Sequence, residues 1–287
     1  MTTTTTVPDL RIRRISRSIK NASLAAKVGS GIVLAIFVLV LVGPFFIPYG
    51  PYDTSSVIDS PPTLAHPFGT DYLGHDIMSQ IAWGGDSSLL VGIASALGAA
   101  LLGLLVGVVS GYYDRLQPLL DGGADIILTF PSLPLLILFG SMFPVTDLLI
   151  TGILVFVLWP PISRSIRAQV MSVKSRPYIE SAKVSGMTNR EILTRLVIPE
   201  VGPIAIAYFV LTVAAAVVIV TVLQFLGVGN PDIVSWGSIL YWSQQFAFYR
   251  GDWWWILAPG LIITLLALGF ALIGFSVEEI MNPRLRT

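Results

Sequence analysis

Long apolar stretches alternate with short polar segments along the chain, and their lengths give the first structural expectation. A helix needs about 20 mainly apolar residues to cross the hydrocarbon part of a bilayer. Six stretches approach that length, and they cover residues 28–47, 88–112, 126–143, 148–162, 201–226 and 254–275. The pattern therefore predicts an all-α integral membrane protein with six transmembrane helices.

The third and fourth stretches show this pattern least clearly. Only residues 144–147 separate them, and Pro131 and Pro134 interrupt the third. Trp159, Pro160 and Pro161 mark the end of the fourth stretch.

The chain is predicted to divide into three parts. Residues 1–27 form a basic tail, residues 28–87 hold the first transmembrane helix and a long loop, and residues 88–287 form a five-helix core with a polar loop at 163–200. No small-residue cleavage site follows the first apolar stretch, which favours a retained anchor over a secretion signal.

Composition supports a bilayer as the main solvent. Hydrophobic residues make up 54% of the chain, charged residues make up 12%, and the mean hydropathy is +0.79. A soluble domain averages about 25% charged residues. The absence of cysteine excludes disulfides, thiolate metal sites and cysteine nucleophiles.

The basic residues predict the orientation. Loops rich in Lys and Arg remain in the cytoplasm. With the N-terminus inside, all of the 17 basic residues except Arg250 face the cytoplasm. Six spans then place both termini in the cytoplasm, which makes the long loop at 48–87 and the loop before the sixth span extracytoplasmic.

The two outer loops contain the remaining candidates for chemistry. Two histidines and two aspartates of the first outer loop are interpreted as solvent-facing, with an external metal cluster as the alternative; they are His66, Asp71, His75 and Asp76. The aromatic residues of the second outer loop are interpreted as a belt at headgroup depth, with direct solute contact as the alternative. They are Trp236, Tyr241, Trp242, Tyr249 and Trp253–Trp255.

Two absences argue against other functional classes. The chain contains no G-x4-G-K-[ST] phosphate-binding loop and no nucleophile–base–orienter arrangement, so it is not expected to be an enzyme by itself. The second, fifth and sixth apolar stretches contain no ionisable residue. Because such residues mark many proton-driven carriers, their absence weakens that interpretation.

Residues 177–199, called the elbow here, form a polar helix-turn-helix in the loop before the fifth stretch. Pro177 suits the first turn of a helix, and Gly186 suits its C-terminal end. Thr188 and Glu191 have the spacing of a capping box that begins a second helix, which Pro199 is predicted to end.

The spacing within the elbow resembles the E-A-A-x3-G-x9-I-x-L-P loop of ABC-importer permeases. Four positions match that pattern, namely Glu180, Ala182, Gly186 and Pro199. Ser181, Leu196 and Ile198 replace the usual residues. Residues 66–92, 125–137 and 278–286 also resemble the dipeptide/oligopeptide permease family, in particular its second permease subunit, although His75 and Gln80 stand where the family commonly has arginine.

This resemblance implies a type I ABC-importer permease fold and a function. The chain would be the permease subunit of an ATP-driven, binding-protein-dependent importer in the plasma (inner) membrane of a prokaryote. Its partners would be a homologous second permease, two cytoplasmic ATPase subunits or domains that hold ATP and Mg, and an extracytoplasmic solute-binding protein. No cofactor would be bound by this chain.

The resemblance also assigns roles within the elbow. It would dock on the ATPase through Tyr178, Ile179, Glu180, Ser181 and Ala182, with Gly186 making the turn and Pro199 closing the motif. Di- and oligopeptides are the expected solutes, and oligosaccharides or metal complexes are alternatives within the class. A channel or ion-coupled carrier without ATPases is the alternative from another class. The substrate-binding residues are not assigned.

Overall fold

The computed structural model describes residues 24–55, 57–142 and 146–281. Most of the predicted basic tail, as well as Arg284 and Arg286, lies outside this range. The described residues form helices and loops without a strand. The helices are α1 Leu24–Phe46, α2 Ile77–Tyr112, α3 Gln117–Thr129, α4 Ser132–Met142, α5 Asp147–Lys174, α6 Pro177–Val184, α7 Asn189–Ile192, α8 Ile198–Phe225, α9 Trp236–Arg250 and α10 Trp253–Met281.

Five helical segments of the described chain are long and apolar enough to cross a membrane. They are Leu24–Phe46, Ile77–Tyr112, Asp147–Lys174, Asn189–Phe225 and Trp253–Glu279. The expected third span is divided between α3, with 13 residues, and α4, with 11 residues. The break falls at Phe130 and Pro131, because proline disfavours the helical conformation in the residue before it.

Helix α5 continues past the two prolines that mark the end of the fourth apolar stretch. The helix contains Pro160 and Pro161 and continues for 13 further residues to Lys174. Beyond the prolines, Ile166, Val170 and Val173 are fully buried. Tertiary packing therefore stabilises the helix where the missing N–H groups weaken it.

Glycines on one face of α2 allow α5 to approach closely. Gly103, Gly107 and Gly111 are spaced four residues apart, and a Cβ atom built on each would lie 2.7–2.8 Å from an atom of α5. Small residues at such spacing let membrane helices pack backbone to backbone. These three buried glycines therefore serve the packing of α2 against α5 within the chain.

The end of the bundle that contains the loop 48–76 has an aromatic core. Trp236 and Trp255 are fully buried, and the indole Nε1 of Trp236 donates to the carbonyl oxygen of Ile81 at 2.9 Å. The expectation of a headgroup belt is therefore wrong for these two residues. They lie in the core because the predicted second outer loop contains a helix, α9, whose apolar face packs against α2 and α10.

The histidines and aspartates of the first outer loop are not solvent-facing, contrary to expectation. His66 Nδ1 lies 2.9 Å from Asp76 Oδ1, and His75 Nδ1 lies 2.9 Å from Asp71 Oδ2. Both aspartates are at most 3% exposed. They are buried because each carboxylate accepts several bonds, including the Ser79 backbone N–H at the start of α2, and such bonds offset desolvation.

A buried carboxyl joins the first outer loop to the start of α10. Asp252 is 4% exposed and lies within hydrogen-bonding reach of Asp59, which forms a salt bridge with Arg250. Burial raises the pKa of the Asp252 carboxyl, and the charge of Asp59 raises it further. Protonation of Asp252 therefore stabilises this junction.

We expect an Asp252→Asn variant to have a higher thermal unfolding midpoint than the wild type at neutral pH. A group whose pKa is raised by folding stabilises the protein below its unfolded pKa, and this contribution is lost as the pH rises through the folded pKa. Asparagine resembles the protonated carboxyl, so the advantage is expected to vanish under acidic conditions. A variant less stable than the wild type at neutral pH would contradict this explanation.

Candidate coupling elbow

The first half of the elbow is a short helix with defined ends. Pro177 occupies the first turn of α6, where its missing N–H costs nothing. At the other end Gly186 has φ +83°, and its N–H donates to Lys183 O while Met187 N–H donates to Ala182 O. These two bonds form a Schellman motif, which confirms the turn predicted at Gly186.

The second half begins with the predicted capping box and then departs from the prediction. Glu191 N–H donates to Thr188 Oγ1, and Thr188 N–H donates to Glu191 Oε2. Pro199 does not end this helix, since residues Asn189–Phe225 form one continuous helical segment. A π-helical turn at Leu193–Val197 precedes the proline, and its i→i−5 bond from Ile198 N–H to Leu193 O changes the hydrogen-bond register before Pro199.

The elbow has a buried side that packs against the helical bundle. Ile179 is fully buried in a cluster that includes Val173, Ile192 and Val197. Burying an isoleucine side chain contributes about 1.5–3 kcal/mol. The sequence resemblance placed Ile179 on the surface that docks the ATPase, and the structure instead places it inside this chain.

The opposite side of the elbow is exposed, and it carries a few large side chains among small ones. Tyr178 is 42% exposed and Val184 is 90% exposed. Glu180 and Ser181 are also exposed, and the Glu180 carboxylate makes no hydrogen bond or salt bridge within the described part of the chain. An exposed valine with a free carboxylate and small neighbours offers a surface that another protein can approach closely.

Side-chain contacts join the elbow and the ends of the long helices beside it. Tyr112 at the end of α2 donates from its hydroxyl to Asn189 Oδ1 at 2.9 Å. Lys174 Nζ donates to the carbonyl oxygen of Tyr112 at 2.9 Å. Arg176 Nη1 lies 2.7 Å from Glu200 Oε1, and this hydrogen bond raises the pKa of Arg176. The first of these contacts is made by the elbow itself, and the other two join helix ends next to it. A displacement of the elbow therefore acts on α2 through Asn189 and on α5 and α8 through the continuous chain.

The structure divides the seven predicted site residues into three groups. Tyr178, Glu180 and Ser181 lie on the exposed side, whereas Ile179 is buried and Ala182 is partly buried. Gly186 forms the turn, and Pro199 is exposed in the first turn of α8.

Val184 was missed by sequence reasoning, and helical geometry shows how it could have been found. It lies five residues after the buried Ile179, which places it about 140° around the helix from that residue. Residues three or four positions from a buried residue share its face of the helix. An apolar residue at another spacing therefore faces solvent or a partner protein.

Comparisons with known proteins agree with an architecture of several long apolar helices. Residues 99–287 match the family described as binding-protein-dependent transport system inner membrane component. A putative peptide transport system permease protein of Brucella suis is 30% identical over 264 residues, covering 91% of this chain and 88% of that protein.

Two further relatives carry similar names. The oligopeptide transport system permease protein OppC of Haemophilus influenzae is 32% identical over 265 residues, which cover 90% of this chain and 85% of that protein. The dipeptide transport system permease protein DppC of Bacillus subtilis is 30% identical over 279 residues, which cover 94% of this chain and 85% of that protein.

The fold and the elbow define a multi-span helical membrane protein. The chain belongs to the family of binding-protein-dependent transport system inner membrane components. This confirms the resemblance of the chain to the dipeptide/oligopeptide permease family.

Proposed function

We propose that this chain is the permease subunit of an ATP-driven importer that carries di- or oligopeptides inward across the plasma membrane. The observation that carries the proposal is the elbow, whose exposed side is free while its buried side is fixed to the bundle. The names of the relatives support peptides as the solute, since they include oligopeptide and dipeptide transport system permeases.

In this proposal the bundle crosses the membrane six times. Helices α3 and α4 together contain 24 residues, which span about 36 Å if they run in one direction, enough for a bilayer core of about 30 Å. An even number of spans leaves both termini in the cytoplasm, in agreement with the distribution of basic residues.

The partners proposed are a homologous second permease, two cytoplasmic ATPase subunits or domains, and an extracytoplasmic solute-binding protein. Helices α3 and α4 support the second permease, because they expose a row of apolar side chains beside the packed bundle. The most exposed are Leu119, Ile126, Leu138 and Met142, each at least 56% exposed. ATP and its Mg²⁺ belong to the ATPases in this scheme.

The elbow transmits the work of the ATPases to the spans. When two ATPases close on nucleotide, the docked elbow is displaced. Its hydrogen bond to Tyr112 moves the end of α2, and its connections along the chain move the ends of α5 and α8. Because α2 and α5 are packed backbone to backbone, they move as one unit. The solute then passes between the two permeases by alternating access.

We expect a Val184→Asp variant to lose most of its ATPase in co-purification. Val184 is 90% exposed, so the substitution leaves the fold intact but places a charge where an apolar contact is proposed. Burial of one valine contributes at least about 1.5 kcal/mol, which corresponds to roughly tenfold in affinity. The measurement is the amount of ATPase retained on the tagged permease and the rate of ATP-dependent peptide uptake.

Val57→Asp is the matched control for this experiment. Val57 is 48% exposed in the first outer loop, so the same substitution at the far end of the molecule is expected to retain the ATPase. Undiminished ATPase retention by Val184→Asp, or peptide uptake that continues at the normal rate without an ATPase, would refute the proposed function.

A further inference from the structure

A cavity lies at the end of the molecule opposite the elbow. It has a volume of about 350 Å³ and is enclosed by the first outer loop, the start of α2, the segment before α9, and α9 itself. Gln80 lines it near the start of α2, whereas the elbow is bound to Tyr112 at the end of that helix. The 32 residues between them span about 48 Å, so the cavity is on the outer side if the elbow is cytoplasmic.

The cavity has the size and walls of a small-molecule site. Binding sites for small ligands are about 300–1,000 Å³, with aromatic walls and a few polar groups. Tyr72, Trp242 and Trp255 supply the aromatic walls here. Tyr72 stacks on Phe246 with ring centroids 4.2 Å apart, and its ring lies 5.6 Å from that of Trp255, so this wall is packed before any ligand enters.

Asp71 supplies a fixed negative charge behind one wall. Its Oδ1 accepts the backbone N–H groups of Leu73 and His75 at 2.9 and 2.8 Å. Its Oδ2 accepts Gln80 Nε2 at 3.0 Å and lies 2.9 Å from His75 Nδ1. Because four groups surround this buried carboxylate, it acts on a ligand through its field and does not need one for its own hydrogen bonds.

Asp232 supplies a second carboxylate that differs from Asp71 in having no bonding partner. It lines the cavity and is exposed, and among the described residues no hydrogen bond or salt bridge reaches its carboxylate. The backbone around it is held in place, because the Tyr52 hydroxyl donates to Asp232 O at 3.0 Å and accepts Val234 N–H at 3.2 Å.

The two carboxylates act on the same part of the cavity. Burial raises the pKa of the Tyr72 hydroxyl, and the charges of Asp71 and Asp232 raise it further. No lysine or arginine is among the described residues that line the cavity. An anionic group would therefore be repelled, whereas a cation would be attracted by the field of Asp71, by the exposed carboxylate of Asp232 and by the aromatic rings, which attract cations within about 6 Å.

We propose that this cavity is a binding site for an ammonium or guanidinium group, which forms a salt bridge with Asp232 beside Tyr72 and Trp242. The group has two possible sources, a free peptide with its amino terminus or a basic side chain of the docked solute-binding protein. The choice between these two sources of the cation rests on the proposed importer function. The assignment of the cavity as a cation-binding site does not rest on it.

The test uses two peptides that differ only in the cation. Trialanine amide has a protonated amino terminus and no carboxylate, and N-acetyl-trialanine amide lacks the charge. Each is titrated calorimetrically into the full-length chain in nanodiscs. We expect saturable binding of the first peptide alone, weakened at least about tenfold in Asp232→Asn, because hydrogen bonds to a charged group contribute about 1.5–3 kcal/mol.

Asp86→Asn is the matched control, since Asp86 is an exposed aspartate of α2 that does not line the cavity. It is expected to bind trialanine amide as the wild type does. If both peptides bind with equal affinity, or if Asp232→Asn leaves the binding of trialanine amide unchanged, the proposal is overturned.

If neither peptide binds, association of the solute-binding protein with wild-type and Asp232→Asn permease decides the result. Weaker association of the variant assigns the cation to the binding protein, and unchanged association overturns the proposal. Loss of ATP dependence in uptake would refute the importer function and leave the peptide titrations valid.

Discussion

A Glu180→Lys variant is expected to fold and insert as the wild type does but to lose about nine tenths or more of its ATP-driven uptake. Truncating one partner of a hydrogen-bonded charge pair in an interface costs about 2–5 kcal/mol, and reversal adds repulsion. Within the chain the change is small, because an acidic residue in the first turn of a helix contributes only about 0.3–1 kcal/mol. The measurement is peptide uptake by cells that produce equal amounts of membrane-inserted permease.

Glu191→Gln is the control for this effect. It removes a negative charge from the second half of the elbow while the glutamine preserves the capping box. We therefore expect nearly normal uptake from Glu191→Gln. Equal uptake by Glu180→Lys and the wild type would show that Glu180 makes no contact that matters for coupling.

A Gly107→Ala variant is expected to be about 1–2 kcal/mol less stable than the wild type. A Cβ atom at this position would lie 2.7 Å from the backbone oxygen of Ser163 and 2.8 Å from Ile166 Cβ. A backbone oxygen cannot rotate away, so α2 and α5 must separate, and such overpacking costs about 1–3 kcal/mol. Thermal unfolding of the purified chain in nanodiscs measures the effect.

Gly152→Ala separates packing from helix propensity. Gly152 lies within α5, and nothing lies within 4 Å of its added Cβ atom. Alanine stabilises a helix interior by about 0.5–1 kcal/mol relative to glycine. We expect Gly152→Ala to match or exceed the wild type in stability; if Gly107→Ala does the same, the close approach of α2 and α5 is not limited by that glycine.

The local structure of the elbow could be predicted because its signals act over a few residues. Pro177, Gly186 and the Thr188–Glu191 pair each determine a helix end through their own backbone or side-chain bonds. The burial of Ile179 could not be predicted in this way. It depends on Val173 and Ile192, and only folding brings the elbow against the bundle.

The prolines show that a helix end cannot always be predicted from the local sequence. Pro160 and Pro161 mark the end of the fourth apolar stretch and Pro199 was expected to end a helix, yet all three lie within continuous helical segments. The first two are retained because glycines of α2 allow α5 to pack closely beyond them. Pro199 is accommodated by the π-helical turn that precedes it.

The sequence by itself determined that the chain is a helical membrane protein and where its polar elbow turns, because these properties depend on composition and on contacts between near neighbours. Only the tertiary structure decided which face of the elbow is free, where α5 ends, and that Asp71, Asp232 and Tyr72 line one cavity. Those properties depend on contacts between residues that are distant in the chain, and a local sequence pattern does not predict the geometry of such contacts.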